Sequence, residues 1–200
     1  CVSMRQAARC GGRLSRGAIA RRKVRFGLHG QELIRCMRSE ILAGLLSGEF
    51  QLDECESFEL DRILGPLTIP VLLHKDTRLV ISNAVGTLPP RVPRNSREFK
   101  KLPIEARNRR SRSNVVVKRC LAALVQVAGP GTRLLTDRKP SYHSILRELD
   151  PEGRIGHGTV SSRAARTKHN PLFPINHTLA MMRDGLSRLR RRTWCHAKKR

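Results

Sequence analysis

Phe50-Gln-Leu-Asp-Glu-Cys-Glu-Ser-Phe-Glu59 alternates apolar and polar residues along its length. A period of two is the signature of a β-strand, whose successive side chains point to opposite faces. Just upstream, Ser47-Gly48 closes a segment with helical spacing, so the change of period marks a boundary. Downstream, Leu67–His74 and Leu79–Val85 are two more apolar runs. Lys75-Asp76-Thr77 joins them, the short polar connection expected of an antiparallel hairpin. Pro70 cannot donate to a sheet ladder, which predicts an edge strand or an irregularity there. Further on, the pattern predicts a helix over Val115–Val127, a buried strand over Thr132–Asp137 and a helix over Ser141–Leu149. A short strand over Arg154–Val160 and a last helix beginning near Asn176 complete it. Three strands, helix, strand, helix, strand, helix predicts an α/β (α+β) domain on a mixed sheet spanning residues 48–200.

Residues 89–113 interrupt that order. They carry Arg91, Arg94, Arg97, Lys100, Lys101, Arg107, Arg109, Arg110 and Arg112 with little periodicity. The stretch reads either as a mobile loop that meets DNA or as a solvated linker.

Residues 1–47 read as a separate helical module. Ser3-Met-Arg-Gln-Ala-Ala-Arg9 opens like a helix capped by Ser3, and Gly11-Gly12 breaks it. Ser15 can cap a second helix with Ile19, Val24 and Phe26 on one side, ringed by Arg16, Arg21, Arg22, Lys23 and Arg25. Helix, glycine turn, basic helix is the layout of a helix-turn-helix, and equally of an ordinary basic helical hairpin. Leu33, Ile34, Met37, Ile41, Leu42 and Leu45 predict a third, connecting helix over Gln31–Leu46.

Charge narrows the partner class. Forty Lys and Arg against sixteen Asp and Glu give a formal net charge of +24. Such an excess opposes compaction unless a polyanion offsets it, and Arg outnumbers Lys, which suits bidentate phosphate contacts. Nucleic acid is therefore the expected partner. No apolar run approaches the ~20 residues of a membrane span, and no signal peptide is evident. The six cysteines include no Cys-x-x-Cys pair, which excludes reading a zinc ribbon or a disulfide framework from spacing. Reduced cytosolic thiols are the default. A start at Cys1, without an initiating Met, is expected of a fragment.

With acidic residues scarce, their positions carry information. Asp53 lies mid-strand, and Asp137 ends the central strand where the chain turns at Arg138-Lys139-Pro140. Strand ends are where open sheets place their sites, and carboxylates on neighbouring strands suit hard divalent cations. Taken singly, Asp53 also reads as an exposed strand residue and Asp137 as a turn or capping residue. At the C-terminal end, Leu179, Met182, Leu186 and Leu189 fall on one helical face, with Arg183, Arg188, Arg190 and Arg191 beside or opposite it.

Several of these blocks together resemble one family. Asp53-Glu-Cys-Glu-Ser-Phe-Glu59, Thr136-Asp137-Arg-Lys-Pro-Ser-Tyr142, Val160-Ser-Ser-Arg163 and Asn170-Pro-Leu-Phe-Pro-Ile-Asn-His-Thr178 stand in order. They are similar to successive blocks of bacterial insertion-sequence transposases of the DDE type. Cys1–Arg9 likewise resembles the helix-turn-helix that precedes the catalytic domain in some of them, without the zinc ribbon that usually comes first. The resemblance covers most of the chain, with the basic stretch matching least. It implies an RNase H-like catalytic domain, two Mg2+ ions (or Mn2+), and Asp53 and Asp137 as catalytic metal ligands. It also implies strand cleavage and transfer on double-stranded DNA at element ends, a multimeric state, and a cytoplasmic, nucleoid-associated location in a bacterium. Arg16, Arg21, Arg22 and Lys23 would contact DNA from the first module, and Arg183, Arg188, Arg190, Arg191 and Arg192 from the last helix.

One position departs from the family pattern. Its third carboxylate, a Glu at the start of the last helix, is replaced by Asn176. Asparagine ligates a metal through a neutral carbonyl and cannot act as a base. Some groups in the family use Asn there; otherwise the change implies a catalytically inactive, transposase-derived basic DNA-binding protein. Glu54, Glu56 and Glu59 are substitute ligands to consider, although Glu54 is expected on the opposite face from Asp53.

Overall fold

A computed structural model describes residues 15–59, 63–165, 167–186 and 189. Ser3, Ala7, Ala8 and the Gly11-Gly12 turn, which carry the first half of the expected helix-turn-helix, lie outside them. The module's second helix, α1 (Arg16–Cys36), begins as its cap predicts: the Ser15 hydroxyl accepts the Ala18 N–H at 3.1 Å. It does not stop before Gln31. It runs through Gly27 and Gly30 into a π-helical turn at Met37–Ile41, so the two expected helices are one, ending short of Leu46. Val24 and Phe26, expected on a packing side, are 64% and 73% exposed.

The domain proper is a mixed sheet between helices. Its strands are β1 (Glu49–Phe58), β2 (Pro66–His74), β3 (Val80–Asn83), β4 (Gly86–Thr87), β5 (Arg133–Asp137) and β6 (Gly156–Val160). They lie in the order β3-β2-β1-β5-β6, with the two-residue β4 also against β2. β1, β2 and β3 pair antiparallel, whereas β5 and β6 run parallel to β1. The helices are α2 (Arg97–Lys100), α3 (Ile104–Arg107), α4 (Ser113–Val127), α5 (Pro140–Leu149) and α6 (Phe173–Gly185). None of the described helices is long and apolar enough to cross a membrane.

Alternation along the strands divides the core in two. Phe50, Leu52, Leu72, Ile81 and Leu134 face Val117, Leu121 and Leu124 of α4 and Tyr142, Ile145 and Leu146 of α5. Cys55, Val71, Leu73 and Leu135 face Ile175 and Leu179 of α6 on the other side. Burial of this kind contributes about 25 cal/mol per Å² of apolar surface, which makes the two layers the main stabilising feature.

Pro70 marks an irregularity rather than an edge, because β2 is an inner strand. Its carbonyl accepts the Ala84 N–H, so its nitrogen faces the side of β3 and β4. Pairing on that side is interrupted there: β4 meets Leu67 and Thr68, and β3 meets Val71 to Leu73. The missing N–H thus falls in a gap between two short strands.

The basic stretch is not a featureless loop. It contains α2 and α3, and the sheet's acidic edge holds it down. Arg91 ion-pairs with Glu56. Arg109 donates to Glu59 at 2.7 Å and to the carbonyls of Leu88 at 3.1 Å and Pro66 at 3.4 Å.

Helix α6 starts at Phe173, three residues before the expected Asn176, because Pro174 is tolerated within a first turn. It stops at Gly185. Leu186 is extended and 50% exposed, so the expected four-residue apolar face reduces to Leu179 and Met182 within the helix. Leu189 is buried against the same layer.

Candidate functional site

Register brings Asp53 and Asp137 together. β1 and β5 pair in parallel up to Leu52 and Thr136, and Asp53 and Asp137 are the next residue on each strand, one step past the last pair. Asp137 in turn pairs with Val160 of β6. Both carboxylates belong to the face that α6 covers, since Asp53 alternates with Cys55 and Asp137 with Leu135. Each is oriented by the backbone beside it. Asp53 Oδ1 accepts the Glu54 N–H at 2.7 Å, and Asp137 Oδ1 accepts the Lys139 N–H at 3.1 Å.

The first turn of α6 is fixed over this face by a residue that the alternation rule placed outside. Gln51 is completely buried. Its amide Nε2 donates to Pro171 O at 2.7 Å and to Glu49 at 2.8 Å, and its Oε1 accepts the Ile175 N–H at 3.0 Å. A helix's first N–H groups have no partner within the helix, so Gln51 caps α6 from the sheet. Arg78, at a left-handed φ of 58°, adds a second tie by donating to Pro174 O at 2.9 Å. Asn176 follows Ile175 directly and is half-buried. The signal for Gln51 was a polar residue in a strand that helices cover on both faces.

Carboxylate oxygens are donors of the kind that hard divalent cations take. A carboxylate offers about four acceptor sites, so a hydrogen bond from the neighbouring backbone orients it and occupies only part of that capacity. Among the described residues, no three His, Cys, Asp or Glu side chains gather into a metal-holding group. A third donor from these residues would be neutral, as the Asn176 carbonyl is.

The other acidic candidates are committed elsewhere. Glu54 points to the opposite face, as expected. There its carboxylate takes Lys139, Tyr142, Thr68 and Ser113. Burial pushes the Glu54 carboxyl up, but Lys139 foremost, with Thr68 and Tyr142, brings it below the usual range. Tyr142 is pushed well above its ordinary value, first by burial, then by Glu54, with Asp137 and Asp53 adding to the effect. Glu56 and Glu59 are ion-paired with Arg91 and Arg109.

The cationic candidates are dispersed. Arg21, Arg22 and Lys23 are exposed on α1; Arg16 begins that helix, its side chain outside those described. Arg183 is half-buried in the last turn of α6, with its Nε enclosed and without a hydrogen-bond partner among the described residues. Arg188, Arg190, Arg191 and Arg192 lie outside the described residues. Of the histidines, His177 is a surface residue 5.6 Å from the Phe173 ring, and His169 is exposed. His157 is half-buried in β6 and bonded to Thr136 at 2.9 Å.

The described residues form a mixed α/β protein, with Asp53 within β1 and Asp137 at the end of β5 just past the paired residues of those parallel strands. Compared with protein-family models and with curated proteins, the chain has no match.

Proposed function

We propose that this chain is a DNA strand-transferase of the DDE transposase type, with an RNase H-like catalytic domain and Asp53, Asp137 and Asn176 as its site. The observation that carries the reading is the register of β1 and β5, in which Asp53 and Asp137 each follow the last paired residue, on the face that packs against the helix bearing Asn176. The element order and the net charge of +24 support it.

In this reading Asp53 and Asp137 would hold Mg2+ or Mn2+, with the Asn176 carbonyl as a neutral third oxygen donor. A pair of such ions lowers the pKa of an attacking water or 3′-hydroxyl and stabilises the leaving oxygen of an in-line phosphoryl displacement. The protein's own part is positioning. The two carboxylates concentrate negative charge inside a strongly cationic chain. The exposed Arg21, Arg22 and Lys23, with the arginines from Arg183 to Arg192, bind the phosphate backbone and set the register of the DNA. Asn176 takes no proton, so it orients and does not serve as a base.

The neutral Asn176 also favours a second reading, a transposase-derived DNA-binding protein without chemistry. Nicking of supercoiled plasmid and joining of element-end oligonucleotides in Mg2+ or Mn2+, repeated in EDTA, separates the two. The enzyme cleaves only with metal; the binding protein keeps its affinity in EDTA and cleaves in neither.

A further inference from the structure

Glu54 and Lys139 each serve the site twice, once from each side of the sheet. On the α6 face, the Glu54 N–H holds the Asp53 carboxylate at 2.7 Å, and the Lys139 N–H holds that of Asp137 at 3.1 Å. On the α4/α5 face, the side chains of the same two residues form an ion pair. The Glu54 end of that pair is enclosed. The Glu54 side chain is 12% exposed. Its Oε1 also accepts the Tyr142 hydroxyl at 2.9 Å, and its Oε2 accepts Thr68 and, at 3.0 Å, Ser113. Lys139 Nζ donates to Ser113 Oγ at 2.9 Å and lies 5.3 Å from the centre of the Tyr142 ring. The donors come from β2, the first residue of α4, the β5–α5 turn and α5, so one carboxylate ties four elements to β1.

We propose that the Glu54–Lys139 pair is a positioning brace that sets the separation of the Asp53 and Asp137 carboxylates and thereby the site's affinity for a divalent cation. It rests on the reading of Asp53 and Asp137 as metal ligands. Stability alone does not account for the pair, because a buried ion pair is on average no more stabilising than well-packed apolar side chains. What it supplies is a fixed distance between β1 and the β5–α5 turn, the two segments that carry the aspartates. Residues that hold metal ligands in place typically change affinity by roughly 10–100-fold when replaced.

Mn2+ titration, followed by the electron paramagnetic resonance of the free ion, tests the brace on the whole chain. The variants are Glu54→Gln, Lys139→Gln, the double variant, and Asp53→Asn as a reference, each measured well below its melting temperature. The brace predicts that each single variant binds Mn2+ roughly tenfold or more weakly. The double variant should be no weaker than the worse single one, because both break the same link. Tyr142→Phe removes one hydrogen bond to Glu54 and keeps the fold testable if Glu54→Gln unfolds; a several-fold weakening is expected. Mn2+ affinity within twofold of wild type in the brace variants, with binding lost in Asp53→Asn, overturns the brace and leaves the site standing. Unchanged binding in Asp53→Asn removes the site itself, and the brace with it.

Discussion

The side-chain amide of Gln51 rises from the middle of the sheet to accept the N–H of Ile175 at 3.0 Å, and so fixes the first turn of α6 above Asp53. Gln51→Leu keeps the volume and removes that acceptor, leaving the buried Ile175 N–H without its partner. The expected cost is ~1–3 kcal/mol, read as a lower urea midpoint with an unchanged slope. A midpoint equal to that of wild type contradicts the assignment of Gln51 as the cap of α6.

Asn176 is the test of the third position. Asn176→Glu places a charged oxygen donor where a neutral one stands, and divalent-cation binding should tighten by roughly tenfold. Asn176→Ala should weaken it by a comparable factor. Calorimetric Mn2+ titrations that find both variants like wild type would take Asn176 out of the site.

Helix α1 projects exposed cations. If Arg21, Arg22 and Lys23 neutralise phosphates, replacing all three with alanine lowers DNA affinity and flattens its salt dependence. The slope of log Kd against log salt should fall by roughly 0.9 for each phosphate no longer neutralised. An unchanged slope in fluorescence anisotropy titrations would show that α1 does not lie on the backbone.

His157 supplies a pH dependence. Burial first, and then the stacked His143 ring 5.8 Å away, hold its imidazole below the ordinary value of 6.5. The unfolded chain therefore takes up this proton at a higher pH than the folded one. The native state gains this contribution fully above about pH 6.5 and loses it as pH falls toward the folded value. Thermal melts across that range should show a steeper decline on acidification for wild type than for His157→Gln. Parallel curves would mean that His157 titrates as it does in the unfolded chain.

The strands were legible because burial on the sheet imposes alternation, and β1, β2, β5 and β6 start and end within two residues of the sequence reading. Asp53 and Asp137 could be nominated because acidic residues are scarce in this chain and these two fall within a strand and at the end of one. Their adjacency was not legible, since parallel register between β1 and β5 depends on the α4 crossover rather than on either strand. Gln51 was missed because strict alternation assumes one solvated face, and β1 has none. The continuity of α1 through Gly27 and Gly30 was missed because glycine usually ends helices; each costs about 1 kcal/mol here without a competing turn. The basic stretch has no period because Arg91 and Arg109 hold it by charge and hydrogen bonds rather than by an apolar face.

If Asp53 and Asp137 hold a divalent cation together, replacing either one should abolish metal-dependent DNA cleavage. Plasmid nicking in Mn2+ by wild type, Asp53→Ala and Asp137→Ala measures it directly, with DNA binding checked by anisotropy in the same preparations. Expected are metal-dependent nicking by wild type, a loss of at least about a hundredfold in either variant, and DNA affinity equal to or slightly above wild type in both. Nicking by wild type that survives in both variants would contradict this expectation.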